Sequence, residues 1–258
     1  MKKLAAYYFS GTGNTEYVVK KLCSELKSKY EVKVYDICKV DRVEESDTYI
    51  LAYPIYGSCP PIPMRRFLHG NADKFRGKEM IIVATQYLFS GDGAATIGRT
   101  AEKLGAKVTH AEHIRMPNNI SDVKGVPVKN GKALDDIIKA ADAKIARLAN
   151  DILSGNGYRR GFGVFSHALG YFSQRVFFRM NEESKRDALT IRNERCSACG
   201  LCAKNCPVGN LDIRDGRVTP KGECVLCYRC VNLCPNCAIS LVGKRPPEVQ
   251  YKGVPKVR

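Results

Sequence analysis

The chain has 258 residues, 44% of them hydrophobic, and a formal net charge of +16. That length and apolar content support two domains with a sizeable core. No apolar run approaches the roughly 18 residues that would span a bilayer, and no recognition motif for nucleic acid accompanies the positive charge.

The first residues, M-K-K-L-A-A-Y-Y-F-S, begin like a signal peptide but lack a long apolar core and run into a glycine-containing loop. They read instead as a first strand, Lys3–Phe9. Ser-Gly-Thr-Gly-Asn-Thr follows at 10–15, then a helix with Val18, Val19, Leu22 and Leu26 at helical spacing. The hydroxyls of Ser10, Thr12 and Thr15, the loop N–H groups and the helix N-terminus can hold a phosphate without lysine or Mg²⁺. The loop is not a Walker motif, because no G-K-[ST] closes it, nor is it G-x-G-x-x-G.

Further strands are expected at Val32–Ile37, Thr48–Tyr53, Met80–Thr85 and Lys107–Arg115, with helices near 94–104 and 134–153. The last helix carries Ile137, Ile138, Ala141, Ile145 and Leu148 on one face. Alternation of apolar strands with helices predicts an α/β fold, a five-stranded parallel sheet with helices on both faces. Ligand loops then lie at the carboxyl ends of strands 1, 3 and 4, beside the topological switch point. Those ends read S-G-T-G-N-T, A-Y-P-I-Y-G-S-C-P-P and T-Q-Y-L-F-S-G-D-G.

Over residues 1–154 this pattern resembles flavodoxin. The resemblance implies FMN, with its phosphate on Ser10, Gly11, Thr12, Gly13, Asn14 and Thr15. It places the ring between Pro54, Ile55, Tyr56 and Gly57 on one side and Tyr87, Phe89, Ser90, Gly91 and Asp92 near the other. Gly57 is the candidate for a peptide that flips beside the ring, since no Cβ restricts its backbone. Many flavodoxins stack a tryptophan on the flavin. This chain has none, so Tyr56 is expected to stack there, and Asp92 is expected as a carboxylate near the ring. Cys59, in the same loop, is read as a packing thiol.

Residues 155–187 match neither half and read as an aromatic, basic connector. Phe165, Leu169, Phe172, Val176 and Met180 fall on one helical face beside Arg175 and Arg179. Packing one domain on the other is the expected role, and a docking surface for a partner or an anionic membrane face is the alternative. His69, His110, His113 and His167 show no ligand spacing.

Cys196 to Pro235 carries C-S-A-C-G-L-C-A-K-N-C-P and then C-V-L-C-Y-R-C-V-N-L-C-P, each with the spacing C-x2-C-x2-C-x3-C-P. Three thiolates in such a loop serve one cubane iron–sulfur cluster, and the fourth reaches the other cluster. The spacing assigns Cys196, Cys199, Cys202 and Cys234 to one [4Fe-4S] cluster, and Cys224, Cys227, Cys230 and Cys206 to a second. Zinc would take a different thiolate spacing, and a disulfide framework suits a small secreted chain. The stretch from about Leu189 to Val242 resembles bacterial two-cluster ferredoxins, with one departure at Cys237, read as a buried, non-ligating thiol. Asp215-Gly216 marks a hairpin turn between the motifs. The basic, proline-rich tail 244–258 is expected to be extended on the surface or frayed.

The expected organisation is therefore 1–154, a connector 155–187, a small α+β ferredoxin domain 188–243, and the tail. It resembles flavodoxin–ferredoxin fusion proteins. The resemblance implies a cytoplasmic electron-transfer protein of an anaerobe, holding FMN and two [4Fe-4S] clusters and exchanging electrons with other redox proteins. Twelve cysteines fit a reducing compartment, and the basic charge favours acidic redox partners over nucleic acid. The alternative is an FMN-dependent reductase of a small organic substrate fed by the clusters. No catalytic acid, base or nucleophile is expected for a carrier, whose cofactors do the chemistry.

Overall fold

The computed structural model describes residues 1–254. The end of the predicted 244–258 tail, beyond residue 254, lies outside the described residues. Five strands run parallel in the order β2-β1-β3-β4-β5: β1 Lys2–Tyr8, β2 Tyr30–Asp36, β3 Thr48–Pro54, β4 Glu79–Gln86 and β5 Lys107–Arg115. This is the doubly wound order of flavodoxin-like sheets, with its switch point between β1 and β3. Leu4 lies opposite Val32 and Thr48, and Thr48 opposite Glu79. The central strands are buried on both faces, so they read as continuous apolar runs rather than alternating ones.

Side chains that alternate along each strand feed two cores. On one face α1 (Asn14–Glu25) and α5 (Lys132–Ser154) set Val18, Leu22, Ile145 and Leu148 against Leu4, Ala6, Ile50 and Val83. On the other, α2 (Ile62–Gly70), α3 (Ala72–Phe75) and α4 (Gly93–Lys103) set Met64, Leu68, Phe75 and Ile97 against Ala5, Tyr7, Leu51 and Ile82. Each such aliphatic or aromatic side chain contributes roughly 1.5–3 kcal/mol on burial. Helix α5 stops at Gly155, whose φ of 73° supplies the left-handed cap.

After α5 the chain turns back along the sheet edge. The Ala111 N–H donates to the Tyr158 carbonyl and the Arg160 N–H to the Ala111 carbonyl, both at 2.8 Å. The segment expected as a connector is thus anchored to the N-terminal unit, and it covers part of the exposed edge of β5. A continuous helical stretch follows: α6 (Val164–Gly170), a π-helical turn over Tyr171–Arg175, and α7 (Val176–Met180). Helix α8 (Glu182–Arg186) leads into the C-terminal unit.

That unit is small. β6 (Thr190–Ile191) pairs antiparallel with β9 (Ile239–Ser240), and β7 (Leu211–Arg214) with β8 (Arg217–Pro220). Asp215 and Gly216 at the hairpin tip have φ of 49° and 70°, the pair of positive values that a tight two-residue hairpin turn requires. Short helices α9 (Leu201–Lys204) and α10 (Arg229–Leu233) follow the cysteine loops. Leu189, Leu211, Val218, Val231, Ile239 and Leu241 form its core together with several cysteine side chains.

The two cysteine repeats are also repeats of backbone shape. Ala198 and Gly200 have φ of 51° and 74°, and Leu226 and Tyr228, at the matching positions, 57° and 62°. Three residues after each fourth cysteine the chain is left-handed again, at Gly209 (φ 63°) and Cys237 (φ 47°). The sequence departure at Cys237 therefore falls where the twin motif has glycine. The half-buried Cys237 thiol is less enclosed than expected.

The described part of the tail is pinned rather than frayed. Tyr251 is buried, its N–H donates to Asn232 Oδ1 at 2.7 Å, and its hydroxyl donates to Asn14 Oδ1 at 2.6 Å. Buried hydrogen bonds to both units offset the backbone entropy of ordering this segment.

Candidate functional site

A cavity of about 280 Å³ opens at the carboxyl ends of the parallel strands, just below the usual range of roughly 300–1,000 Å³ for small-molecule sites. Ser10, Gly11, Thr12, Asn14 and Thr15 form its floor. Gly13, with φ 97°, caps α1 from behind and does not line the cavity. The hydroxyls are already braced. Ser10 Oγ accepts from the Gly13 N–H at 3.1 Å, Thr12 Oγ1 accepts from Asn119 Nδ2 at 3.0 Å, and the Thr15 and Thr85 hydroxyls pair at 2.8 Å. Asn14 Nδ2 donates to the Pro117 carbonyl at 2.9 Å. Such a loop at the N-terminus of a twelve-residue helix suits an anion.

Pro54, Ile55, Tyr56 and Gly57 form one wall, as the sequence suggested. Residues 56–59 close on themselves, with the Tyr56 and Cys59 backbones exchanging hydrogen bonds of 2.9 Å. Gly57 and Ser58 have φ of 53° and 59°. A Cβ on Gly57 would lie 2.5 Å from the Phe178 ring, so only glycine admits this contact. Cys59 lies beneath the turn, fully buried, and burial pushes its thiol pKa up.

One expectation about the walls needs correction. Of Tyr87, Phe89, Ser90, Gly91 and Asp92, only Tyr87 lines the cavity. Ser90 is buried against Gln86, Phe89 points outward, and Gly91 packs on the Gly170 backbone. Asp92 is a structural anchor. Its fully buried carboxylate is paired with Arg175, with Arg99 at 2.7 Å and with His167 at 2.8 Å. Burial alone would raise its pKa, but Arg175, His167 and Arg99 together hold it below the usual carboxylate value. The charged side chain in the cavity is instead cationic: Lys185, with its ammonium 4.9 Å from the Phe178 ring centroid.

Tyr56 has a second neighbourhood that the expected ring pocket did not include. Its ring does line the cavity, but its hydroxyl is buried without a hydrogen-bond partner. Burial raises the phenol pKa well above its ordinary value, and the neighbouring thiols of Cys227 and Cys224 raise it further. The side chain thus reaches from the cavity to the second cysteine set. The rim comes from residues beyond the three predicted loops. Met116, Pro117, Asn118, Asn119 and Ile120, after β5, line the cavity, and so do Phe178, Lys185, Leu226, Tyr228 and Val242. Residues 116–120, M-P-N-N-I, follow the predicted strand Lys107–Arg115, so the end of that strand is the local signal that could have marked them. Nothing local in the sequence marks the contributions from beyond residue 154.

The C-terminal unit forms this roof by docking on the loop that floors the cavity. Gly11 abuts Cys227 so closely that a Cβ would lie 2.3 Å from the Cys227 carbonyl oxygen. Arg229 donates to the Ser10 and Gly11 carbonyls at 2.6 Å each. Asp122 accepts from the Tyr228 hydroxyl at 2.9 Å, the Leu241 N–H at 2.6 Å and the Gly243 N–H at 3.1 Å. Asn232 Nδ2 donates to the Asn119 carbonyl at 2.9 Å.

The eight motif cysteines fall into two neighbourhoods. Cys202 lies beside Cys196 and Cys234, and the exposed Cys199 stands at the outer end of the same loop. Cys227 and Cys224 lie beside Cys206, and Cys230 lies beside all three and also near Cys202. Burial pushes the Cys227 thiol up to about 12. The backbone N–H groups of Asn210 and Ala238 point at the fourth sulfurs, Cys206 Sγ at 3.2 Å and Cys234 Sγ at 3.3 Å. N–H groups directed at sulfur are among the features that tune an iron–sulfur site. Among the described residues no three His, Cys, Asp or Glu side chains converge tightly enough for a single ion. The thiols form two looser groups.

The 4Fe-4S binding domain family matches residues 189–212, which include the first cysteine motif. No curated protein matches the chain by sequence. The chain is similar to several solved structures. The flavodoxin of Fusobacterium nucleatum bound to flavin mononucleotide is 18% identical, over 60% of this chain and 98% of that one, with a TM-score of 0.43. Two-electron-reduced Megasphaera elsdenii flavodoxin is 23% identical, over 54% and 98%, with a TM-score of 0.39. Oxidised flavodoxin 1 of Bacillus cereus is 20% identical, over 56% and 97%, with a TM-score of 0.39.

Proposed function

We propose that this chain is an electron-transfer protein that holds FMN in the cavity and two [4Fe-4S] clusters on its two cysteine sets, and serves a soluble redox partner in anaerobic metabolism. The observation that carries the reading is the contact of Gly11, on the cavity floor, with Cys227, in the inner cysteine set. When bound, these groups supply one-electron chemistry, and the protein supplies position, polarity and exclusion of water.

The residues fit those groups. The braced hydroxyls and N–H groups at 10–15 suit a phosphate, and Tyr56, Tyr87 and Ile55 offer flat and apolar walls to a ring. The orphaned Tyr56 hydroxyl faces Cys227 and Cys224, where a sulfur acceptor would satisfy it. Cys196, Cys199, Cys202 and Cys234 would hold the outer cluster, and Cys224, Cys227, Cys230 and Cys206 the inner one. Cys230 and Cys202 lie where the two sets meet. The exposed Cys199 marks the end at which a partner would dock, and the basic surface would steer an acidic one to it.

The test is anaerobic purification of the full chain with iron, sulfide and flavin assays. The reading predicts about eight iron and one FMN per chain. Eight iron without flavin would mean that the cavity holds another ligand. About four iron would overturn the assignment of a second cluster.

A further inference from the structure

Residues 164–180 form a continuous helical rod, about 25 Å long at 1.5 Å per residue. An ordinary surface helix turns its apolar face inward. This one is mounted the other way round. It is held to the protein by its polar groups: Arg175 by Asp92 and, at 3.1 Å, by the Ser58 carbonyl; His167 by Asp92 at 2.8 Å; and Gln174 by the Ser58 hydroxyl at 3.3 Å. Phe178 alone among its phenylalanines turns inward, onto Gly57. The opposite side presents Val164, Phe165, Phe172, Phe177 and Met180 to solvent, at 86%, 80%, 79%, 69% and 80% exposure. Large apolar side chains projecting together from one rod are an interaction surface.

Charge indicates what covers it. From Ile152 to Asn181 the sequence has no Asp or Glu. Arg159 is paired with Glu102, Arg160 with Glu112 and the buried Arg175 with Asp92, which leaves the exposed Arg179 as the cation on the rod's surface. Lys185 stands 5.3 Å from the Phe177 ring centroid at one end of the rod. Beyond that end, Glu182 is paired with Arg65 and Glu183 with Arg186. The rod is aromatic on its outer face and belongs to a chain of net charge +16. That is the pattern of a helix lying in the plane of a lipid–water interface. Among the described residues no helix is long and apolar enough to cross a membrane, so this contact is peripheral.

We propose that the 164–180 helix seats the protein on the surface of an anionic phospholipid bilayer, with Phe165, Phe172 and Met180 entering the headgroup boundary, the exposed Arg179 beside Met180 meeting a lipid phosphate, and the net positive charge of the chain adding long-range attraction. Phe178, on the inner side of this helix, lines the cavity, whereas Phe165, Phe172 and Met180 project from the outer side, so vesicle binding through the outer side stands or falls independently of the electron-transfer reading.

The experiment is vesicle flotation of the full chain, with phosphatidylcholine alone and with phosphatidylcholine containing phosphatidylglycerol. Parent protein is compared with Phe165→Ser, Phe172→Ser and Met180→Ser. These positions are exposed, and unchanged circular dichroism confirms that each variant folds. The proposal predicts binding to the anionic vesicles only, weakened by salt, and about tenfold weaker for each variant. Absence of binding to anionic vesicles at low salt overturns it, as does binding that the variants leave unchanged. A dimer in sedimentation velocity that Phe172→Ser dissolves, with no vesicle binding, overturns it in favour of a second copy of the chain. Salt-sensitive capture of a soluble acidic protein through this face, again without vesicle binding, overturns it in favour of a protein partner.

Discussion

Replacing Asp122 by alanine tests how the two units are held together. One carboxylate on the N-terminal unit accepts three hydrogen bonds from the C-terminal unit: the Tyr228 hydroxyl, the Leu241 N–H and the Gly243 N–H. Tyr228 and Leu241 are buried, so water cannot replace the lost acceptor while the units stay docked. A buried donor left unsatisfied costs about 1–3 kcal/mol. Two of them give about 4 kcal/mol, which corresponds to roughly a thousandfold change in the docking equilibrium. Native-state hydrogen exchange at the Leu241 amide reads this directly, because that amide is freed when the units separate. Exchange about a thousandfold faster in Asp122→Ala, with amides of the parallel sheet unchanged, is the expected result. Exchange within about tenfold of the parent would refute the view that this carboxylate clamps the units.

Other changes follow from the same geometry. Cys237 holds a left-handed backbone where the twin motif has Gly209, so Cys237→Gly should stabilise the chain by about 0.5–1 kcal/mol in urea unfolding. His113 Nε2 accepts from the Ala94 N–H at 2.8 Å, and burial, with Arg160 and Lys144 nearby, lowers its pKa to about 4. The unfolded chain therefore binds a proton at higher pH than the folded one. Stability should be full above about pH 6.5 and fall by roughly 3 kcal/mol on acidification to about pH 4. In His113→Gln that part of the slope should vanish in pH-dependent thermal unfolding. Tyr56→Phe removes a buried, unpartnered hydroxyl near Cys227 and Cys224. With clusters assembled, EPR-monitored potentiometry should show the inner cluster at a more negative potential, because hydrogen bonds to sulfur raise it. An unchanged potential would leave that hydroxyl without a redox role.

The parts of this molecule legible in the sequence are those that local pattern dictates. Lys2–Tyr8, Thr48–Pro54 and Glu79–Gln86 are buried on both faces, so apolar runs marked them as strands within a residue or two. The cysteine spacing fixed two similar loops, and their matching left-handed residues follow from that repeat. What stayed hidden depends on contacts across long stretches of chain. Asp92 looked like a carboxylate beside a ring because nothing near it in sequence shows that Arg175 would neutralise it inside the protein. Tyr56 looked like a stacking residue alone because the thiols near its hydroxyl come from the other unit. The basic, proline-rich tail reads as extended on the surface or frayed, and nothing in its composition shows that Tyr251 ties its described part to Asn14. The connector reads as a helix packing one domain on the other, with a docking or membrane face as the alternative, because its composition reveals neither that residues 158–160 extend the sheet edge nor which way the apolar side of the following helix turns.

The central claim is that the two cysteine sets and the cavity form one path, entered at Cys199 and ending at the loop that begins with Ser10. Anaerobic stopped-flow mixing of the loaded chain with a reduced, acidic ferredoxin-type donor, followed at the iron–sulfur and flavin absorption bands, tests it most directly. The account predicts that iron–sulfur bleaching leads or accompanies flavin bleaching, and that Asp122→Ala slows the flavin phase alone. Flavin bleaching that runs ahead of the iron–sulfur signal, at the same rate in Asp122→Ala, would contradict it.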